Sequence, residues 1–400
     1  MLRNHSIFRA AGTAGEATHR AGVVPAAIVR SRGTKRPPAT PRTFLLVTFA
    51  AATLWAQGSV APWPFDFFQP DVALSPAERS RLDRGESLVK TLPPSSREVA
   101  IFAAVRADIS GDRLTAWVRR IDALKRSRVV MAVGRFSQPP RLEDLAAVAL
   151  EPGELDELRQ CRPGRCNLKL SASDIARLAP LARERQPGWQ AAVQQAFRQA
   201  LLARATAYLD RGLPGLPPYA DQEELESVEN EFAPILKSST FLRTRLPGLA
   251  EYLIHYPAHQ GRAATDEEFA RPAEDVSADR HPGESFLYWS KEGLGGKPII
   301  SITHVSIVRP RDPRAPDAIV ASRQIFASHY LTGSLAITAV IGGPSGRYLT
   351  YLNRSRVDIL DGVFGGLVRR IVERRLRDEA GDVVDGLRRR LESGDPPPLP

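Results

Sequence analysis

The hydrophobic pattern changes its period twice between residues 97 and 136. Residues 99–105, VAIFAAV, alternate with a period of two and predict a strand. The next segment, 110–127, places Leu114, Trp117 and Ile121 on one helical face. Residues 128–136 are short and β-branched, which favours a second strand. The predicted order is therefore strand, helix, strand.

The strand-helix-strand unit is the last portion of an N-terminal part that we assign to residues 62–142. We expect this part to begin with an arm and a helix. The arm, PWPFDFFQPD at 62–71, is aromatic and proline-rich and is expected to lie extended on the protein body. The stretch SPAERSRLDRGESLVKTL then predicts a helix, because Ser75 is a favoured N-cap, Pro76 suits the first helical position and Glu78 completes a capping box.

The rest of the chain divides by the same patterns. Residues 143–256 predict a helical region of helices near 154–160, 171–184, 187–211, 221–236 and 246–255. Residues 257–285 have almost no apolar positions and predict a loop or linker. Residues 286–392 predict antiparallel strands at 286–292, 298–308, 318–332, 335–341 and 347–353, followed by a long amphipathic helix. Residues 393–400 predict a disordered tail.

Together these elements predict an α+β protein in which an antiparallel sheet packs against a long C-terminal amphipathic helix, with a helical insertion. The element order over 97–136 and 286–392 is similar to the helix-grip arrangement of START-like lipid-binding domains. In that family a curved antiparallel sheet wraps the last helix, and the resemblance implies an apolar cavity between them. It carries no ligand-contact residue over to this chain.

The N-terminal 1–61 predict a leader. Thirteen uncharged residues, FLLVTFAAATLWA from Phe44, follow Lys35, Arg36 and Arg42 and precede a small-x-small cleavage site. This layout is typical of a secretory signal peptide. The hypothesis is an exported protein of the bacterial periplasm, and the alternative is an uncleaved N-terminal anchor over 43–61, because a membrane span needs about 20 residues.

Export with removal of the leader would change the net charge of the protein. The leader holds eight of the 55 Lys and Arg residues and only one of the 45 acidic residues, so its removal lowers the net charge from +10 to +3. A basic surface that binds nucleic acid is therefore not expected. The arginines of the C-terminal helix alternate with acids, which is typical of a solvated face. Membrane contact is expected only through 43–61 or this basic helix.

The cysteines, Cys161 and Cys166, are separated by four residues with Pro163 and Gly164 at the centre. In an oxidising compartment this spacing predicts a structural disulfide, and a free or redox pair is the alternative. A thioredoxin-type pair needs two intervening residues, and a zinc site needs further ligands, of which the nearest downstream histidine is His255. No metal site and no cofactor are predicted.

Polar side chains within the apolar strands are the candidates for a ligand site. His304 lies in line with Ile300 and Ile302, and a buried imidazole needs a hydrogen-bond partner. The simpler interpretation is a core histidine bonded to a hydroxyl or carbonyl group. The alternative is a cavity in which a few polar groups orient an apolar ligand. The candidate ligand-binding residues are Tyr288, Trp289, Lys291, Glu292, His304, His329 and Tyr330.

Three functions agree with these patterns. The leading hypothesis is an exported, non-catalytic protein that binds an apolar or amphipathic small molecule, including a lipid, between the sheet and the C-terminal helix. The second is a structural or interaction protein of the cell envelope, which predicts an exposed apolar patch on the helices of 143–256. The third is an enzyme with His304 or His329 in an open cleft beside a carboxylate or nucleophile. No catalytic residue is assigned.

Overall fold

The computed structural model describes residues 63–184, 186–256, 284–293, 296–310, 312, 314–343, 345–360 and 365–397. The predicted leader, 1–61, lies outside the described residues. So does the predicted linker, 257–285, except that Glu284 and Ser285 begin a strand. Among the described residues, no helix is both long and apolar enough to span a membrane.

An α+β fold with an antiparallel sheet is confirmed. The eight strands among the described residues are β1 Leu88–Thr91, β2 Glu98–Arg106, β3 Val130–Arg135, β4 Glu284–Glu292, β5 Ile299–Val308, β6 Ala318–Ala327, β7 Leu331–Gly343 and β8 Gly346–Val357. They form one sheet in the order β1-β2-β8-β7-β6-β5-β4-β3. Strands β3 to β8 are therefore neighbours in chain order, and β2 pairs with the last strand, β8.

The helices lie before, between and after these strands. Those in the described part of the chain are α1 Pro76–Asp83, α2 Gly111–Arg119, α3 Ile121–Leu124, α4 Pro152–Leu158, α5 Ala172–Glu184, α6 Trp189–Arg211, α7 Val228–Ser238, α8 Thr240–Arg245, α9 Pro247–His255 and α10 Gly365–Glu392. The strand-helix-strand unit is confirmed as β2, α2 with α3, and β3. In the helical region, α7 begins later than predicted, because 219 and 226 pair as a short β-bridge before it.

The N-terminal part confirms the predicted helix start and corrects its continuation. The Ser75 hydroxyl accepts a hydrogen bond from the Glu78 amide, and the Glu78 carboxylate accepts one from the Ser75 amide. The helix ends at Asp83, because Gly85 follows with φ of 83°, a conformation that favours glycine. The residues after it form β1, which we had not predicted. The aromatic arm is a 3-10 turn, Pro64–Phe68, and is not extended.

The two faces of the sheet bury different partners. One face, which we call the insertion face, contributes side chains such as Phe102, Ile302 and Ile337 to a large apolar cluster. That cluster also contains side chains from α4 to α9, including Phe197 and Leu253. The other face, which we call the opposite face, contributes a second cluster that includes residues of α2, α3 and α10.

The predicted disulfide is confirmed between Cys161 and Cys166, whose Cα atoms are 4.4 Å apart. The loop lies between α4 and α5, and Gly164 has φ of 83°. The amide of Gly164 donates to the carbonyl of Ala220 at 2.8 Å, and the amide of Cys166 donates to that of Asp221 at 2.9 Å. The cross-link thus holds a short loop against the segment that precedes α7.

The first residues of the predicted disordered tail, 393–400, make specific contacts. The Trp117 indole nitrogen donates a hydrogen bond to the Gly394 carbonyl at 2.9 Å, and Arg120 donates to the Pro397 carbonyl. These contacts hold residues 393–397 against α2, so the prediction of disorder was wrong there. Residues 398–400 lie outside the described part.

Candidate functional site

The opposite face of the sheet is divided into an apolar end and a polar end. At the apolar end, Val305, Val320 and Val340 belong to one buried cluster with Leu114, Trp117 and Ile121 of α2 and α3. Val384 and Leu391 of α10 are members of the same cluster. The side chains of α2 and α3 therefore cover the apolar end of this face.

The polar end carries short hydroxyl and amide side chains on five neighbouring strands. The register places Ser290 opposite Ser301, Thr303 opposite Gln324, and Ser334 opposite Ser355, so all of them share one face. The half-buried members, together with one alanine, are Ser301, Ser322, Ser334, Ala336, Thr338 and Asn353. This end therefore forms a hydrogen-bonding floor that is partly accessible to solvent.

An ionic pair and two tyrosines meet above this floor. Lys125, which follows α3, donates to the Glu292 carboxylate at 2.5 Å and to the Tyr288 hydroxyl at 3.4 Å. Tyr351 of β8 interacts electrostatically with all three of these groups. In a flat sheet, β8 would lie four strand spacings, about 19 Å, from β4. The long side chains of Lys125, Tyr288 and Tyr351 therefore extend towards one another over the opposite face of the sheet.

These side chains are enclosed and still reach solvent. Protein atoms surround Lys125 and Glu292 densely, yet 24% of the Lys125 side chain and 23% of the Glu292 side chain remain accessible. Tyr351 is also densely surrounded and only half-buried. We take this group of partly accessible polar side chains as the candidate site. We call it the recess and define it by Lys125, Tyr288, Glu292, Tyr351 and Asn353.

The electrostatics of the recess keep its ion pair charged. Burial raises the pKa of Glu292, but the charge and hydrogen bond of Lys125 outweigh burial, and the pKa falls below its ordinary value. Burial lowers the pKa of Lys125, but Tyr288 and Glu292 reverse this and raise it. Burial also raises the pKa of Tyr351 to about 12, so its hydroxyl stays protonated and can donate a hydrogen bond at neutral pH.

The seven predicted ligand residues fall into separate places. Tyr288 and Glu292 border the recess. Trp289 and Lys291 alternate with them and point to the insertion face, where the Trp289 indole donates to the Asp144 carbonyl at 2.7 Å and Lys291 donates to Glu151 at 2.5 Å. Alternate residues of β4 therefore lie on opposite faces of the sheet.

The remaining three candidates also lie outside the recess. His304 is buried on the insertion face, with its Nδ1 atom 2.7 Å from the Tyr208 hydroxyl. His329 is buried with its Nε2 atom 2.6 Å from the Glu154 carboxylate. Tyr330 has φ of 61° in the turn between β6 and β7, and its hydroxyl accepts a hydrogen bond from the Lys297 amide at 3.3 Å.

Sequence reasoning missed three residues of the recess region: Lys125, Tyr351 and Asn353. Tyr351 and Asn353 share an alternation with Ser355, and the same kind of polar alternation occurs at Ser301 and Thr303. That repeated pattern was a usable signal. The sequence around Lys125 contains no such signal, because a lysine at the end of a short helix is usually exposed to solvent.

The structure locates the residues that the metal and enzyme interpretations would require. Within those ranges, no group of three or more histidine, cysteine, aspartate or glutamate side chains is placed to hold a metal ion. His304 and His329 are 1% and 4% exposed, so neither lies in an open cleft.

No protein-family model, curated protein or solved structure matches the chain. The described residues form an α+β fold with one antiparallel sheet, and the candidate site lies on the opposite face of that sheet.

The Lys125–Glu292 pair gives a pH prediction. Because the pKa of Glu292 is lowered from 4.5, the pair contributes fully above pH 4.5, and this stability is lost as the pH falls through the lower pKa of the folded state. Glu292→Gln should lower the free energy of unfolding by about 1.5–3 kcal/mol at pH 7. The difference from wild type should shrink below pH 4.5. Urea unfolding from pH 3 to 7 measures it.

The matched control is Glu284→Gln on the same strand. Glu284 pairs with Arg119 at the surface, where the side chains are 30% and 48% exposed, so its loss should cost less than about 1 kcal/mol. A wild-type to Glu292→Gln difference that stays constant over the whole pH range would contradict the assignment.

Proposed function

We propose that this protein is an exported, non-catalytic binding protein that holds an amphipathic small molecule in the recess. The observation that carries the proposal is the group formed by the partly accessible Lys125, Glu292 and Tyr351 with the buried Tyr288. Binding sites for small molecules combine apolar surface with a few convergent polar groups. Here the tyrosine rings supply apolar surface, and the ion pair and hydroxyls supply polar groups.

The floor of the recess favours an amphipathic ligand over a purely apolar one. Apolar side chains fill the end of the face beneath α2, whereas Ser301, Thr338 and Asn353 are half-buried at the open end. A purely apolar ligand would cover these polar groups without replacing their hydrogen bonds to water, which costs free energy. A lipid would therefore have to place its polar group here.

We infer that α10 forms one wall beside the recess. The Ser87 hydroxyl before β1 donates to Asp385 at 2.6 Å, and Val384 belongs to the apolar cluster of the opposite face. Among the strands, α10 mainly contacts β1, β2 and β8. The floor over β4 to β7 would then stay open to a ligand. The resemblance to helix-grip domains supports this arrangement, because β2 and β3 flank the C-terminal meander on either side.

The other two functions receive less support from the geometry. Of the large apolar side chains in the described part of 143–256, Leu225 and Ile254 are exposed, and they lie in different segments. Two separate side chains do not make the contiguous patch that an interaction surface requires. The enzyme hypothesis requires an accessible histidine, and both candidate histidines are buried.

Native mass spectrometry tests ligand binding. The protein is purified from its own envelope without detergent, and we expect added mass that organic extraction removes. Lys125→Met should lower the fraction of the protein that carries ligand. The affinity should fall about tenfold or more, because one charge-assisted hydrogen bond is worth about 1.5–3 kcal/mol.

Lys291→Met is the control for that experiment. Like Lys125, Lys291 pairs with a glutamate, but it is buried on the insertion face. It should retain the ligand even if it lowers stability. A bare wild-type chain, or equal loss of ligand in both variants, would refute binding in the recess.

We also infer export to the periplasm of a bacterium. Support comes from the signal-peptide layout of the leader and from the Cys161–Cys166 disulfide, since such bonds persist in oxidising compartments. An uncleaved anchor over 43–61 would place the same domain on the outer side of the membrane.

Intact mass measurement of the envelope-derived protein checks this inference. Cleavage after the small-x-small site predicts a chain that begins near residue 62 and weighs about two hydrogens less than its reduced form. A mass that includes 43–61 would favour the anchor. Recovery of the protein from the cytoplasm with both thiols reduced would contradict export.

A further inference from the structure

A positively charged side chain is buried between the insertion face and the helices. Arg323 of β6 is 0% exposed. Its guanidinium carbon lies 5.1 Å from the ring centre of Tyr208, 5.4 Å from that of Phe232 and 5.9 Å from that of Tyr256. The aromatic faces attract the cation but supply no counter-charge.

Most other buried cations among the described residues are paired with carboxylates, whereas Arg204 donates to the carbonyls of Ile325 and Pro217. Lys169 lies within 3.6 Å of carboxylate oxygens of Asp221, Glu226 and Asp358, and Arg354 pairs with Glu98 at 2.5 Å. Arg323 forms no ion pair with any described residue. Its guanidinium donates to the Leu253 carbonyl and to the Tyr208 hydroxyl oxygen, both of which are neutral.

The Tyr208 hydroxyl fixes the protonation of His304. Its oxygen accepts the hydrogen bond from Arg323, and it lies 2.7 Å from His304 Nδ1. We assign the single hydroxyl proton to the bond with Nδ1, because the opposite tautomer would leave that proton without an acceptor among the described residues. Burial also lowers the pKa of His304 to about 3, so the ring is neutral and its own proton is on Nε2.

Two buried donors are then left without an acceptor. Arg323 Nε and His304 Nε2 have no hydrogen-bond partner among the described residues. The two residues face each other directly across the β5–β6 pair. A buried donor without an acceptor costs about 1–3 kcal/mol, and an uncompensated buried charge costs more.

We propose that a small monovalent anion the size of chloride binds beside Arg323 and His304 and accepts hydrogen bonds from Arg323 Nε and His304 Nε2. A water molecule can also accept both bonds, but it leaves the guanidinium charge uncompensated and adds two protons that need acceptors. The anion satisfies both donors and balances the charge. Both residues are almost fully buried, so the site suits an ion rather than a larger ligand.

This site is separate from the recess. His304 and Arg323 lie on the insertion face, whereas Tyr288 and Tyr351 lie on the opposite face. The anion would neutralise a charge at the contact of the sheet with α6 and α9. Its role is therefore to stabilise the packing of the helical insertion on the sheet.

Thermal unfolding in sodium chloride and in sodium gluconate, at equal ionic strength, tests the proposal. Gluconate is too large for a site enclosed in this way. The Tm of wild type should rise by about 2–4 °C when chloride reaches ten times its Kd, and the rise should saturate. Arg323→Met should lose the chloride effect. Arg354→Met, which removes a paired buried arginine, should lower the Tm and keep the effect.

Equal Tm values of wild type in the two salts, or a chloride effect that survives in Arg323→Met, would overturn the proposal. If Arg323→Met does not fold, crystals of wild type soaked in bromide decide the matter. We expect an anomalous peak within about 3.5 Å of Arg323 Nε and His304 Nε2. A water molecule there, with no anomalous signal, would refute the anion.

Discussion

The pairing of β2 with β8 is the constraint on which the rest of this structure depends. It runs over nine residue pairs, from Glu98 opposite Arg356 to Arg106 opposite Tyr348, and joins parts of the chain about 250 residues apart. A buried ion pair between Glu98 and Arg354 lies within it. Because this pairing adds β2 and β1 to the C-terminal meander, the sheet becomes wide and both of its faces must be covered.

The two faces are covered differently, and the proposed function follows from that difference. Among the described residues, the insertion face shares one apolar cluster with α1 and with α4 to α9, and some of its buried polar groups are paired, such as Arg354 with Glu98. The opposite face is buried at its apolar end and half-buried at its polar end. In the proposed function, the helical insertion stabilises the sheet, and the polar end of the opposite face supplies the groups that bind the small molecule.

Much of the fold could be predicted from local patterns. Period-two alternation identified β2, and the capping residues identified the start of α1, because both depend on neighbouring positions. The site could be predicted only in part. The alternation of side chains along a strand predicts that Tyr288 and Glu292 lie on one face of the sheet and that Trp289 and Lys291 lie on the other. The interaction of Tyr351 with Lys125 joins residues more than 200 positions apart and depends on the tertiary structure, which no local spacing predicts.

A crystal structure of the protein purified from its own envelope, without detergent or added ligand, tests the central claim most directly. The account predicts continuous non-protein density in the recess, with polar contacts to Lys125, Glu292 or Tyr351 and apolar contact with the tyrosine rings. A recess that holds only ordered water, or in which Tyr351 does not approach Lys125 and Glu292, would contradict it.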